Sequence, residues 1–341
     1  MTQAEIAFYE RVGTAKDVLK FGFFNLPDPA DNEVQVEIIF SGINPYDTKL
    51  RSGLRGAIAY PRVIPHNDGT GIVRALGNKV KKYKIDDRVW IYNAAQRRDH
   101  GTACSVCNLP ESLLMPLPEC ANFELGASLG TSAITAASSL RALQCQKGDI
   151  VMITGGAGSV GIFAIQLAKF LGLLVMTTVS SKEKAELSLS MGADYVINYK
   201  TDDILEKIKT YTHGMMLDGI IDVDFGGNIN WTINALKSNK VIVSYASTQN
   251  PTPVFPFYYA MSKQVTIKTI SVYELEGPSR KAAVNLVQKA LTRGFLTPVI
   301  HKIFALEQVA AAHLEVEKNK KIGHVLVLSQ RILKSQYMIS E

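Results

Sequence analysis

Apolar and polar positions along this 341-residue chain change their period twice, near residue 123 and again near residue 265. Before the first change the pattern is strand-like. Val34-Gln-Val-Glu-Ile-Ile-Phe alternates, Gly69-Thr-Gly-Ile-Val-Arg-Ala-Leu-Gly is a glycine-punctuated strand, and Asp86-Asp-Arg-Val-Trp-Ile-Tyr continues the series. From Phe123 the spacing predicts a helix over Leu125 to Leu143, the Lys147-Gly-Asp turn, and then alternating helices and strands. These cover Lys182 to Met191, Tyr195 to Asn198, Asp203 to Thr210, Gly219 to Val223, Trp231 to Leu236 and Val241 to Ser244. Such alternation is the pattern of a parallel sheet with helices on its faces. After residue 265 a strand (Val265 to Val272), a long helix (Ser279 to Arg293) and mixed elements are expected. From Gln330 no pattern is left, which reads as a loose tail.

One junction in the alternating region carries chemistry. The apolar run Ile150 to Ile153 enters Thr-Gly-Gly-Ala-Gly-Ser-Val-Gly, and a helix-like run from Ile162 to Leu171 leaves it. Gly156, Gly158 and Gly161 form G-x-G-x-x-G in strand-turn-helix context, the fingerprint of a dinucleotide-binding Rossmann unit. Gly156 is expected to permit the tight turn, Gly158 to let backbone amides approach a pyrophosphate, and Gly161 to let helix pack on strand. Ala157, Ser159 and Val160 belong to the same cradle. The second strand, Leu173-Leu-Val-Met-Thr-Thr-Val, ends in Ser180-Ser-Lys-Glu-Lys. An NAD-binding strand would end in an acid for the ribose hydroxyls. Here hydroxyls and lysines occupy the tip, with Glu183 set past it. The preferred cofactor is therefore NADPH, with Ser180 and Lys184 facing the 2′-phosphate, although Ser180 also suits a helix cap.

Composition narrows the class without changing it. Apolar content of 47% and charged content of 20% suit a soluble globular enzyme of two domains. The net charge of +6 suits an anionic cofactor, and the basic runs Lys79 to Lys84 and Lys318 to Lys321 read as solvated faces; no nucleic-acid partner is expected. Cys104-x-x-Cys107 has metal-ligand spacing, but no second pair completes a tetrahedral set. The four cysteines read as reduced thiols of a cytoplasmic protein. Val160 to Val179 is apolar enough to catch a hydropathy scan, yet Gln166, Lys169 and Gly172 break it into a helix and the following strand, so no membrane span is expected.

Seven segments then occur in a recognisable order. They are Gly42-Ile-Asn-Pro-Tyr-Asp-Thr-Lys-Leu-Arg-Ser-Gly, Ile64-Pro-His-Asn-Asp-Gly-Thr-Gly-Ile-Val, Asp87-Arg-Val-Trp, Gly130-Thr-Ser-Ala-Ile-Thr-Ala, the glycine loop, Gly192-Ala-Asp-Tyr-Val-Ile-Asn-Tyr and Ala310-Ala-Ala-His. Over roughly residues 8 to 328 the chain resembles the medium-chain dehydrogenase/reductases, in their zinc-independent, zeta-crystallin-like quinone oxidoreductase branch. The resemblance implies an α/β fold with a Rossmann doubly wound parallel sheet, residues 125–267, inserted into a GroES-like β-rich catalytic domain, residues 1–124 and 268–341. It also implies a cofactor cleft between the two, and homodimers joined through Rossmann sheet edges.

Matched segment by segment, the catalytic zinc ligands of related alcohol dehydrogenases fall at Asn44, Asn67 and Thr131, none of them a competent ligand, so no metal is expected. His66 stands where relatives have glycine and reads as a cleft-wall or structural histidine. Without a Lewis acid, alcohol oxidation is disfavoured and hydride delivery to an electrophilic acceptor is favoured. The resemblance further implies a substrate cleft at Asn44, Tyr46, Lys49, His66 and Asn67, with Lys49 in place of a usual tyrosine. It places Thr135 at the nicotinamide amide, Tyr199 near the adenosine end, and Ser244, Tyr245 and Ala246 beside the nicotinamide ribose, with Tyr245 in place of a usual glycine. The expected activity is NADPH-dependent reduction of a quinone. An NADPH-dependent enone or 2-alkenal reductase, or a non-catalytic NADPH-binding protein, are the alternatives.

Overall fold

The computed structural model describes residues 2–318 and 320–330, so the tail expected beyond Gln330 lies outside the described residues. The chain forms two compact units, residues 1–131 with 297–341, and residues 132–296. The first opens with β1 (Thr2–Phe8), α1 (Ala15–Val18) and β2 (Lys20–Leu26), β1 and β2 pairing antiparallel. It continues through β3 (Glu33–Ile43), α2 (Pro45–Ser52), β4 (Asp68–Leu76), β5 (Arg88–Ile91), β6 (Val106–Pro110) and β7 (Leu114–Pro116) to α3 (Phe123–Leu143), which runs on into the second unit.

The second unit holds β8 (Ile150–Ile153), α4 (Ser159–Phe170), β9 (Leu174–Val179), α5 (Lys182–Ser190), β10 (Tyr195–Asn198), α6 (Ile204–Tyr211), β11 (Leu217–Asp222), α7 (Phe225–Ala235), β12 (Leu236–Ser244), α8 (Phe257–Ser262), β13 (Thr266–Thr269) and α9 (Gly277–Thr292). The chain then returns to the first unit with β14 (Ile300–Ala305), α10 (Val309–Glu317) and β15 (His324–Leu328).

In the second unit the strands stand in the order β10-β9-β8-β11-β12-β13 and every adjacent pair is parallel. This is the doubly wound Rossmann order, and the chain reverses direction across the sheet between β8 and β11. β8 is buried along its whole length, which is why it reads as a continuous apolar run rather than an alternating one. The strand expected over Val265 to Val272 stops at Thr269. Val272 and Tyr273 turn inward in a short 3-10 turn instead. The long apolar run Val160 to Val179 divides between α4 and β9, and among the described residues no helix is long and apolar enough to cross a membrane.

In the first unit β3 is the spine, paired with β15, β4 and β6. Val34, Val36 and Ile38 enter one apolar cluster with Val325 and Val327. The register slips between Ile38 and Phe40, and Ile39 and Phe40 then pack on the other side with Leu326, Leu328 and Ala127. An extra residue shifts the phase of the alternation, so one strand feeds two cores. Immediately after β3 the chain enters α2 through Asn44, with Pro45 at its first turn and Gly53 in the left-handed region at its end (φ 87°).

Candidate active site

The glycine loop has the geometry of an anion cradle, with one shift of role. The residue that needs left-handed backbone is Gly155, at φ 70°, so the tight turn belongs there and not to Gly156. Gly156 is excluded from bearing a side chain by packing: a Cβ would lie 2.2 Å from Thr177 Oγ1 on β9. At Gly161 a Cβ would lie 2.3 Å from the Gly155 carbonyl oxygen, so α4 packs against the loop, rather than against the strand, only without one. Ala157 is buried within the loop, and Ser159 and Val160 open α4. Gly158 is its N-cap and brings no capping side chain. First-turn amides at such a helix start suit a bound anion.

At the tip of β9 the structure gathers three expected residues. Lys184 Nζ donates to Ser180 Oγ at 3.1 Å, and the Tyr199 amide donates to the Val179 carbonyl at 3.1 Å. The helix cap expected of Ser180 is supplied by Ser181, whose Oγ accepts the Lys184 amide. Ser180 is thereby left to the ammonium. Among the described residues no carboxylate pairs with Lys184. Tyr199 keeps half its surface exposed.

At the C-terminal ends of β8, β11 and β12 a second constellation surrounds Asp222. Its carboxylate accepts from Thr154 Oγ1 (2.8 Å), Asn228 Nδ2 (2.7 Å) and the Asp224 amide (3.1 Å), while Oδ2 is buried without a partner. Burial raises its carboxyl above the ordinary range. The Ser244 hydroxyl sits against the carbonyls of Asp222 and Ala246, and the Tyr245 amide donates to the Asp222 carbonyl at 3.3 Å. Burial, with Asp222 close by, pushes the Tyr245 phenol up. Ser244, Tyr245 and Ala246 are thus brought together at the C-terminal end of β12 beside Asp222 of β11, next to the switch point between β8 and β11, and open α/β sheets bind ligands at that end of the strands. Thr135 lies buried in α3. Asp222 escaped sequence reasoning, because one acid after a buried strand carries no periodic signal.

In the first unit the three positions expected to match the zinc ligands of related alcohol dehydrogenases act as hydrogen-bond donors to buried carboxylates. Asn44 Nδ2 donates to Asp68 Oδ2 at 2.7 Å, and Thr131 donates to Asp68 through its amide (2.8 and 2.9 Å) and its hydroxyl (2.9 Å). Asn67 Nδ2 donates to Asp47 Oδ1 at 3.0 Å, and the Asn44 amide to Asp47 Oδ2 at 2.8 Å. The Asn44 and Asn67 amide nitrogens and the Thr131 hydroxyl are committed as donors to two buried carboxylates, and Asn67 Oδ1, a weak neutral oxygen donor, is buried without a partner. These residues do not fit a zinc ion. Burial drives Asp47 up to about 7, aided by the Asp68 charge and opposed by the Asn44 and Asn67 donors, and drives Asp68 up to about 6. Among the described residues no group of three or more His, Cys, Asp or Glu is placed to hold a metal. Cys104 and Cys107 are buried, unbridged thiols. Asp47 was legible in principle, as the third residue after an Asn N-cap; Asp68 was not.

His66 is fully buried at φ 78°, in the left-handed region that favours glycine. Its protonation pattern follows from hydrogen-bond accounting. Thr102 Oγ1 donates its single hydrogen to the Asp68 carbonyl at 2.5 Å, so Ser41 Oγ (2.8 Å away) must donate to Thr102. Ser41 is then an acceptor for His66 Nδ1–H at 2.7 Å, and His66 Nε2 accepts from His313 Nε2–H at 2.9 Å. His313 Nδ1 is left buried without a partner. Burial lowers both imidazoles, His66 to about 3, so the pair is neutral at ordinary pH. Of the two expected roles the structural one fits His66. Tyr46 and Lys49, one helical turn apart on α2, are half-buried. The core-facing residues of α2 are Asp47, Thr48 and Arg51, whose guanidinium meets Glu317 and the Gly13 carbonyl.

The Rossmann order, the phosphate cradle at α4 and the GroES-type unit define a class of nicotinamide-dependent oxidoreductase. Known proteins agree. Residues 30–138 match the family described as alcohol dehydrogenase GroES-like domain, and residues 159–289 match zinc-binding dehydrogenase. Quinone oxidoreductase of Sus scrofa is 30% identical over 292 residues, 85% of this chain and 87% of its own length. Quinone oxidoreductase of Pseudomonas aeruginosa is 28% identical, over 92% and 96%. The crystal structure of Escherichia coli quinone oxidoreductase complexed with NADPH superposes with a TM-score of 0.82 at 26% identity, covering 95% of this chain and 99% of that one. The chain belongs to the medium-chain dehydrogenase/reductase superfamily, in its quinone oxidoreductase branch, and is an oxidoreductase.

Proposed function

We propose that this protein passes a hydride from NADPH to a quinone without a metal ion. The observation that carries the reading is the pair of opposite electrostatic choices just described. A lysine and a hydroxyl occupy the β9 tip where an NAD-binding strand would carry an acid, and Asn44, Asn67 and Thr131, the positions expected to match zinc ligands, donate to buried carboxylates. NADPH, when bound, supplies the hydride. Lys184 and Ser180 hold the 2′-phosphate, the loop Gly156 to Gly161 receives the pyrophosphate, and Tyr199 flanks the adenosine. Thr135, Ser244, Tyr245 and Ala246 line the nicotinamide end. Asn44 and Tyr46 border the acceptor, Asn44 held by Asp68. A quinone carbonyl is already electrophilic, so orientation does most of what a Lewis acid does elsewhere.

Supporting a homodimer, β13 is an edge strand, and the preceding α8 exposes Phe257, Tyr258, Tyr259 and Met261. Four unbridged cysteines support a reducing, cytoplasmic setting. Parallel NADPH oxidation with 1,4-benzoquinone, 9,10-phenanthrenequinone and a small enone tests the activity. Turnover of the enone alone transfers the assignment to C=C reduction, and tight NADPH binding with no turnover of any acceptor removes it.

A further inference from the structure

Lys49 is half-buried on α2, on the face opposite Asp47, Thr48 and Arg51 and one turn from Tyr46. Among the described residues its ammonium has no hydrogen-bond or ion-pair partner. The charge that acts on it is another cation, Arg55, in the exposed tip that follows Gly53, and among the described residues Arg55 is unpaired too. Leu54, between them in sequence, is 76% exposed. A charge drawn partly out of water is normally compensated by an opposite one. Here two like charges stand together beside an exposed leucine, and burial with the Arg55 charge lowers the Lys49 ammonium. The missing complement is an anion with an apolar body.

We propose that Lys49, assisted by Arg55, is an anion-recognising specificity residue, and that the preferred acceptor is a quinone carrying a sulfonate or carboxylate. This rests on the quinone reading above. Two features agree with it: Lys49 lies one turn along α2 from Tyr46 on the same face, and among the described residues its ammonium has no partner. Asp47, the nearest carboxylate in sequence, is buried on the other face with its oxygens committed to Asn44 and Asn67.

The test compares kcat/KM for 1,4-naphthoquinone-2-sulfonate with that for 2-methyl-1,4-naphthoquinone, in the full-length protein and in Lys49→Met, Lys49→Arg and Arg55→Gln. The sulfonate-to-neutral ratio is the readout, so intrinsic reactivity cancels between proteins. Lys49→Met lowers the ratio by about tenfold, the size of one charge-assisted contact. Lys49→Arg keeps it, Arg55→Gln lowers it by less, and added salt lowers it in the wild type. A ratio unchanged in Lys49→Met overturns the inference. So does a loss confined to NADPH affinity, which would assign Lys49 to a cofactor phosphate. If no quinone is reduced at all, the quinone reading fails by itself. Calorimetric binding of the sulfonate to the protein saturated with NADP+ then still decides: weaker binding to Lys49→Met upholds the anion site and equal binding removes it.

Discussion

Replacing Lys184 by methionine separates cofactor choice from every other property of the Rossmann unit. The methionine keeps the length and apolar stem and removes only the ammonium that donates to Ser180 at 3.1 Å. Bound to a phosphate oxygen, a charge-assisted hydrogen bond contributes about 1.5–3 kcal/mol. Lys184 is only half-buried, so screening reduces that to roughly 1–1.5 kcal/mol, about tenfold in affinity. The assay is steady-state kcat/KM for NADPH and for NADH with one quinone, in wild type and variant. The NADPH value is expected to fall about tenfold relative to that for NADH, and the wild-type KM for NADPH to rise with salt more steeply than the variant's. Equal losses with both cofactors would mean that the lysine only supports α5, and no loss would mean that the 2′-phosphate lies elsewhere. Either result refutes the reasoning.

Three further outcomes follow from the first unit. His66→Gly removes left-handed strain of about 1 kcal/mol but strands the His313 Nε2 donor, at about 1–3 kcal/mol, and leaves a cavity. Urea unfolding is expected to show net destabilisation of roughly 2 kcal/mol, and a stabilised variant would mean that strain outweighs the hydrogen-bond chain. Asp47, raised to about 7 in the fold, favours folding in acid: its contribution is complete below the unfolded carboxyl range and is lost as pH rises through about 7. The thermal midpoint of wild type is therefore expected to gain on that of Asp47→Asn as pH drops from 8 to 5, and a gap that narrows instead contradicts the burial argument. Glu317→Ala leaves the Arg51 guanidinium buried without its carboxylate; a loss of about 3 kcal/mol is expected in the same unfolding measurement.

Long periodic elements were legible because their cause is local. The α3 helix, the run of strands and helices from β8 to β12, and the glycine loop all follow from side-chain spacing and from steric exclusion at Gly161. The β9 tip was legible for the same reason, since the strand and the next helix turn are contiguous in sequence. Errors came where a neighbour distant in the chain decides. Gly155 takes the left-handed turn, and Gly156 must be glycine for another reason, because Thr177 on β9 occupies the space beside it. One local choice was also missed: Ser181 rather than Ser180 accepts the Lys184 amide and caps α5.

By itself, then, the order of residues determined a Rossmann sheet and a phosphate cradle without an acid at its second strand, and the resemblance it carries pointed to Asn44, Asn67 and Thr131 as positions where relatives hold zinc. Only the tertiary structure decided what those three do instead. Asp47 and Asp68 are 21 residues apart, and Thr131 lies far beyond both; packing of α2, β4 and α3 joins them into one buried network in which donors face carboxylates. His66 and His313 likewise meet only because α10 returns to the first unit. Hydrophobic spacing encodes which face of an element is buried, whereas the charge and proton placement inside a polar cluster depend on which groups burial forces to share hydrogens.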